Sequence, residues 1–311
     1  MKRLAALAVA GTLLLAACGG DDDDSGATSP PTDAGAATTA PQATDIPPGS
    51  TTPGGEVSAA ECAVGKTLAD DRLTIATGDP AYPPYVIDDD PTTGQGFESA
   101  VALAVAEQMG FTGEAVSWIR TGFDAAIAPG AKDFDFNLQQ YSINPERQQT
   151  VSFSEPYYTA NQAVLGYPTG AAANVTSLSD LKGLKLGAAT STTSLTFITD
   201  VIQPDSEPFI YNSNADAKTA LDNQQIDAIV ADLPTALYIT GVEITDAKVF
   251  GQFPIDAGGA GESWGLLFAK DNPLVECANL ALAALTASGE LAAITEQWMG
   301  DYNDAPTLSA S

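Results

Sequence analysis

The chain holds 311 residues, 44% of them hydrophobic, which is enough for about two domains with sizeable cores. Lys and Arg number 12 against 40 Asp and Glu, a net charge of −28; nucleic-acid phosphates and anionic membrane surfaces are repelled by such a chain. Histidine is absent, which excludes His-based triads, His proton relays and most zinc or iron sites, so neither a metal nor a cofactor is expected.

Met1-Lys2-Arg3 is a charged start, and Leu4 to Leu15 is an apolar run too short to span a bilayer as a helix. The sequence Leu15-Ala16-Ala17-Cys18-Gly19 then resembles the lipobox of bacterial lipoproteins. Residues 1–17 are read as a lipoprotein signal peptide and Cys18 as the lipidated residue. The expected location is outside the cytoplasm, on the outer face of the cell membrane, held there by the lipid. Residues 18–61 are rich in Asp, Thr, Ala, Pro, Gly and Ser and read as a disordered tether. The run Asp21 to Asp24 lacks the spacing of a calcium loop. Cys62 and Cys277 remain; in an exported chain two such cysteines usually pair, and the alternative is two buried thiols.

From residue 70 onward strand and helix patterns alternate. "LTIAT" (73–77) is a β-rich run. Phe97, Val101, Ala104, Val105 and Met109 recur at helical spacing, with Gly110 as the stop. "EAVSW" (114–118), "FDFNL" (134–138), "LKLGAAT" (184–190), "EPFIYN" (207–212), "QIDAIVAD" (225–232) and "SWGLLFAK" (263–270) read as strands. A polar turn and a helix follow Thr190; Ser213 and Asp216 suggest a capping box for a helix ending near Gln224. Asn272-Pro273 opens a helix that places Leu274, Ala278, Ala281 and Leu285 on one face, Gly289 punctuates, and Leu291, Ile294 and Trp298 mark a last helix before Gly300. This alternation predicts an α/β fold with mainly parallel sheets, in which ligands sit beyond the carboxyl ends of strands. Asp79, Gln140 to Arg147, Ser191 to Thr193 and Asp232 all follow predicted strands.

Arginine is scarce: Arg3, Arg72, Arg120 and Arg147. Arg147 either pairs at the surface with Glu146 or Glu155, or clamps a carboxylate with its planar fork of donors. Ser142 and Thr193 could add hydroxyls. Asp232 ends an apolar strand, where it either holds an ammonium group or caps the helix starting at Pro234. Asp79 before Pro80 carries the same ambiguity with turn chemistry, and Tyr82 and Tyr85 offer aromatic surface or core packing.

"TGDPAYPPY", "GQGFESAVALAVAEQMG", "SINPERQQTVSFSEPYY", "LGAATSTTSLTF", "YNSNADAKTALDNQQIDAIVADLPTALYI" and "NPLVECANLALAALTASGELAAITEQWMG" occur in that order over residues 62–303. Together they resemble the polar amino-acid family of extracytoplasmic solute-binding proteins of ABC importers. The resemblance implies a two-lobed periplasmic-binding-protein-like (type II) fold: each lobe a mainly parallel sheet with helices, and a two-strand hinge. Lobe 1 is expected at 62–160 plus 265–303, lobe 2 at 161–264, and 304–311 as a tail. It implies further that Arg147, Ser142 and Thr193 take the α-carboxylate of a polar L-amino acid and Asp232 its α-ammonium. Tyr82 and Phe123 flank the side chain, and Asp79 faces its far end or the ammonium. Glu98 stands where the family commonly has Asp, and Gln140 and Ser191 where it has smaller residues. Asp79, Glu98 and Asp232 favour a neutral or cationic side chain over an anionic one.

The expected function is ligand delivery by a monomer to an ABC permease, without catalysis. The alternatives are a sensory lipoprotein with the same ligand-binding domain, or a dehydratase-type enzyme on the same fold. "SDLK" (179–182) fits a Ser-x-x-Lys pattern without partner motifs, and the triplet at Asn174 is read as chance.

Overall fold

The structure, a computed structural model, describes residues 57–253 and 262–309. The leader, Cys18 and nearly all of the expected tether lie outside the described residues. Order begins before the expected end of the tether at residue 61: α1 (Ala59–Ala63) is held by a capping box. Ser58 Oγ accepts from the Glu61 N–H, and the Glu61 carboxylate accepts from the Ser58 N–H. Two orphan donors are thereby satisfied, which starts a helix even beside a low-complexity segment.

In chain order the first half runs β1 (Leu73–Thr77), α2 (Phe97–Gln108), β2 (Val116–Arg120), α3 (Phe123–Ile127), β3 (Phe136–Asn137) and β4 (Val151–Ala160). Then follow β5 (Gln162–Gly166), β6 (Leu186–Ala189), α4 (Thr193–Thr196, continued by a π-helical turn, Phe197–Ile202), β7 (Phe209–Tyr211), α5 (Asn214–Asp222), β8 (Ala228–Asp232), α6 (Leu233–Tyr238) and β9 (Lys248–Phe253). The chain closes with β10 (Glu262–Ala269), α7 (Leu274–Ser288) and α8 (Glu290–Met299).

Two five-stranded sheets result, β2-β1-β3-β10-β4 and β7-β6-β8-β5-β9. Both are mixed, whereas mainly parallel sheets were expected. In the first, β2, β1 and β3 are parallel while β10 runs antiparallel to β3 and β4. In the second, β7, β6 and β8 are parallel while β5 runs antiparallel to β8 and β9. In each sheet the strand that runs against its neighbours is the one that enters from the other sheet: β5 follows β4 after a single residue, and β10 follows β9.

Helices α1, α2, α7 and α8 cover one face of the first sheet. Helix α2 is apolar almost all round, with Phe97, Val101, Ala102, Val105 and Ala106 inaccessible to solvent, as a helix sandwiched between other elements requires. Leu274, Ala278, Ala281 and Leu285 of α7 form the buried stripe expected of them. Gly110 (φ +88°) and Gly289 (φ +80°) stop their helices in the left-handed region. A disulfide joins Cys62 to Cys277 and so ties α1 to α7, with Cα atoms 5.3 Å apart. In the second sheet, Val164, Leu186, Ala188 and Val230 pack with Phe197, Ile198 and Phe253 on one face, while Leu165, Ile229 and Ala231 pack with α5 and α6 on the other.

Of the segment expected as a tail, 304–311, the described part, 304–309, packs against the second lobe. Thr307 bridges Gln252 beside β9, Ser309 bridges Ser177, and Leu308 is 3% exposed within the second lobe's core. The edge of β9 has unpaired backbone groups, and this segment pairs them: Gln252 N donates to Pro306 O and Leu308 N to Gln252 O.

Candidate functional site

The carboxyl ends of the parallel strands in both sheets open on one cavity of about 500 Å³. After β1 the chain supplies Asp79 and Tyr82, and after β2 it supplies Phe123. Gln140, Ser142 and Arg147 follow β3, Thr193 follows β6, and Asp232 closes β8. Eight of the ten residues expected to bind ligand therefore line one space. The loop with Asp79 and Tyr82 is braced from behind by Arg120: its Nη1 donates to Gly78 O (2.8 Å) and pairs with Asp89 Oδ1 (2.7 Å). Among the described residues, Arg147 is then the only basic side chain lining the cavity.

Arg147 is 7% exposed, so neither surface partner holds it. Nη1 donates to Ser142 O at 2.8 Å and Nη2 to Ser191 O at 2.9 Å, one acceptor in each lobe, and the guanidinium lies over the Phe123 ring, 5.2 Å from its centroid. Burial pulls its pKa down, while Glu262 and other anions push it back up. Phe123 in turn stacks on Tyr141 at 4.8 Å.

Of its two expected local parts, Asp232 takes the cap. It caps α6, accepting from Thr235 N at 2.9 Å, and it accepts from Tyr85 Oη at 2.7 Å across the gap between lobes. Burial raises its pKa, and the Thr235 and Tyr85 hydrogen bonds oppose the rise. The same burial, with Asp232 beside it, pushes the Tyr85 hydroxyl well above its ordinary value.

Two expected residues do not line the cavity. Glu98 is 1% exposed and lies beneath it. Its carboxylate accepts from both the backbone and side-chain amides of Gln140 and from Tyr157 Oη. It therefore fixes Gln140, which sits at φ +49°. Desolvation pushes its pKa up to about 7. Ser191 also has a left-handed backbone, at φ +59°. Its side chain is exposed, and only its carbonyl takes part, as the Arg147 acceptor.

The structure adds Glu262, Gln162 and Asp124, which sequence reasoning did not single out. Glu262 Oε2 accepts from Ser142 Oγ at 2.8 Å and from Thr193 Oγ1 at 2.6 Å. Burial raises its pKa, and those two hydroxyls moderate the rise. Four carboxylates (Asp79, Asp124, Asp232 and Glu262) thus face a single guanidinium around the cavity. Such a lining selects a ligand with a compact anionic end and a larger cationic or dipolar remainder.

Two lobes, each presenting the carboxyl edge of its sheet to one shared polar cavity, define a small-solute binder of the type II periplasmic-binding class. The chain belongs to the bacterial extracellular solute-binding proteins, family 3, whose sequence signature matches residues 73–301. It is 29% identical over 229 residues to the ABC transporter arginine-binding protein 1 of Escherichia coli (strain K12), covering 70% of this chain and 86% of that protein. It is 28% identical over 231 residues to the probable histidine-binding protein of Campylobacter jejuni, covering 71% and 83%. Among solved structures, an ancestral arginine-binding protein bound to glutamine superposes with a TM-score of 0.63 at 28% identity, covering 75% of this chain and 99% of that one.

Proposed function

We propose that the protein binds an L-amino acid with a cationic or neutral polar side chain and delivers it to an ABC-type permease. The observation that carries this reading is the cavity's imbalance, four carboxylates to one guanidinium, with the neighbouring hydroxyls of Ser142 and Thr193 lining the same space. Arg147, Ser142 and Thr193 take the α-carboxylate, and Asp232 takes the α-ammonium. Tyr82 and Phe123 flank the side chain, with Asp79 and Asp124 near its far end. Relatives named for arginine and histidine binding support the cationic preference. The ligand is held and released unchanged. The protein works as a monomer, anchored outside the cytoplasm through lipid on Cys18 after cleavage of residues 1–17.

Binding energetics are adequate. Several charge-assisted hydrogen bonds, each about 1.5–3 kcal/mol, less desolvation and lobe closure, leave about −8 kcal/mol, a micromolar dissociation constant. The test is a thermal-shift screen of the twenty L-amino acids followed by calorimetry. Arginine, lysine, histidine or glutamine is expected to give the largest shift. Glutamate or aspartate binding tightest would overturn the charge argument.

A further inference from the structure

The hydroxyls assigned to a ligand's carboxylate already hold one. Glu262 Oε2 accepts from Ser142 Oγ, in the first lobe, and from Thr193 Oγ1, in the second. The two hydroxyls are 3.3 Å apart, so both converge on the same oxygen. Arg147 feels the Glu262 charge as the foremost of the anions acting on it. Its own fork meanwhile bridges carbonyls of both lobes, Ser142 O and Ser191 O. The geometry is that of a zwitterion's acid end bound in the cleft, with the acid supplied by the first residue of β10.

We propose that Glu262 acts as an internal stand-in for the ligand's carboxylate: it occupies the Ser142–Thr193 subsite in the unliganded protein, latches the two lobes together, and must be displaced when a ligand carboxylate enters. This rests on the amino-acid-binding reading above. Two consequences follow. Apparent affinity for any carboxylate-bearing ligand is lowered by the competition, because only the unlatched fraction can bind. A cation without a carboxylate escapes that competition, so Glu262 sets how strongly the site distinguishes an amino acid from the matching amine. The unliganded protein also rests more closed than it would without the latch.

The experiment compares L-arginine with agmatine, the same side chain and amine without the carboxylate. Calorimetry is run on the full-length protein, wild type and Glu262→Gln. Loss of a negative charge weakens both cations alike, so the ratio of the two affinities isolates the competition. The ratio of arginine to agmatine affinity is expected to rise about tenfold or more in the variant. An unchanged or reduced ratio overturns the latch while leaving amino-acid binding in place. Small-angle scattering of unliganded wild type and Glu262→Ala supplies a second readout independent of any ligand. The variant is expected to have the larger radius of gyration and to contract on adding L-arginine. Equal radii overturn the latch whatever the calorimetry shows. If neither wild type nor variants bind L-arginine, L-histidine or L-glutamine, the amino-acid reading fails and the stand-in fails with it.

Discussion

Replacing Arg147 is the sharpest perturbation of the site. The guanidinium is 7% exposed and makes two charge-assisted hydrogen bonds, to Ser142 O and Ser191 O, together with a contact over Phe123. Each such bond contributes about 1.5–3 kcal/mol. In Arg147→Ala a bound carboxylate keeps only the Ser142 and Thr193 hydroxyls and faces Asp232 and Asp124 without a compensating charge. The lost bidentate pair amounts to about 3–6 kcal/mol, a roughly 10²–10⁴-fold weaker dissociation constant. Arg147→Lys keeps the charge but offers one compact donor group in place of a fork that reaches both carbonyls, so it should recover only part of the loss. Calorimetry with the tightest ligand from the amino-acid screen measures both variants. Circular dichroism checks that the fold persists, since the Ser191 end of the pair is open to water. Binding by Arg147→Ala within threefold of wild type would show that the carboxylate is held elsewhere and would refute the assignment.

Asp232→Asn keeps an acceptor for the Thr235 N–H but removes the charge facing the ammonium. Binding should weaken about 10–100-fold while unfolding free energy in urea changes by less than about 1 kcal/mol; unchanged affinity would remove Asp232 from the site. The Glu98 carboxyl, pushed up to about 7 from 4.5 by burial, keeps its proton in the folded protein over a range where the unfolded chain has released it. Its stability contribution is therefore complete below the unfolded value and falls as pH rises through about 7. Wild type should lose about 3 kcal/mol more than Glu98→Gln between pH 4.5 and 8 in urea unfolding, and parallel profiles would contradict this. The Cys62–Cys277 bridge closes a loop of 215 residues, so its reduction, or Cys62→Ser, should lower stability by about 5 kcal/mol in the chain-entropy picture; an unmoved denaturation midpoint would show that the bridge constrains little. Leu308→Ala should cost about 2–5 kcal/mol, as a core truncation does, and a loss below about 0.5 kcal/mol would return the C-terminal segment to the status of a loose tail.

Local signals placed most elements. "LTIAT" became β1 residue for residue, and Ser213 capped α5 by accepting from the Asp216 N–H. These features depend on neighbours a few residues away, which a sequence displays directly. The polar ends of the parallel strands were legible for the same reason: Asp232 terminates an apolar run. Glu262 and Gln162 escaped because each is the first residue of a strand. The rule that ligands gather at carboxyl ends holds for parallel neighbours, but β10 and β5 run the other way. Their amino ends therefore arrive at the cavity edge, as the pairing of Gln162 with Asp232 records.

Glu98 and Ser191 failed for a different reason, since sequence position locates a residue without fixing the direction of its side chain. Glu98 points under the cavity to hold Gln140, and the left-handed backbone of Ser191 turns its carbonyl, not its hydroxyl, toward Arg147. Leu308 gave no periodic signal at all. Its burial depends on an open edge at β9, which exists only once the second sheet has formed. The arrival of Arg147 and Asp232 at one cavity was therefore readable in outline. The acid already seated between Ser142 and Thr193 was not, because nothing in the chain places residues 142, 193 and 262 together until both lobes have folded.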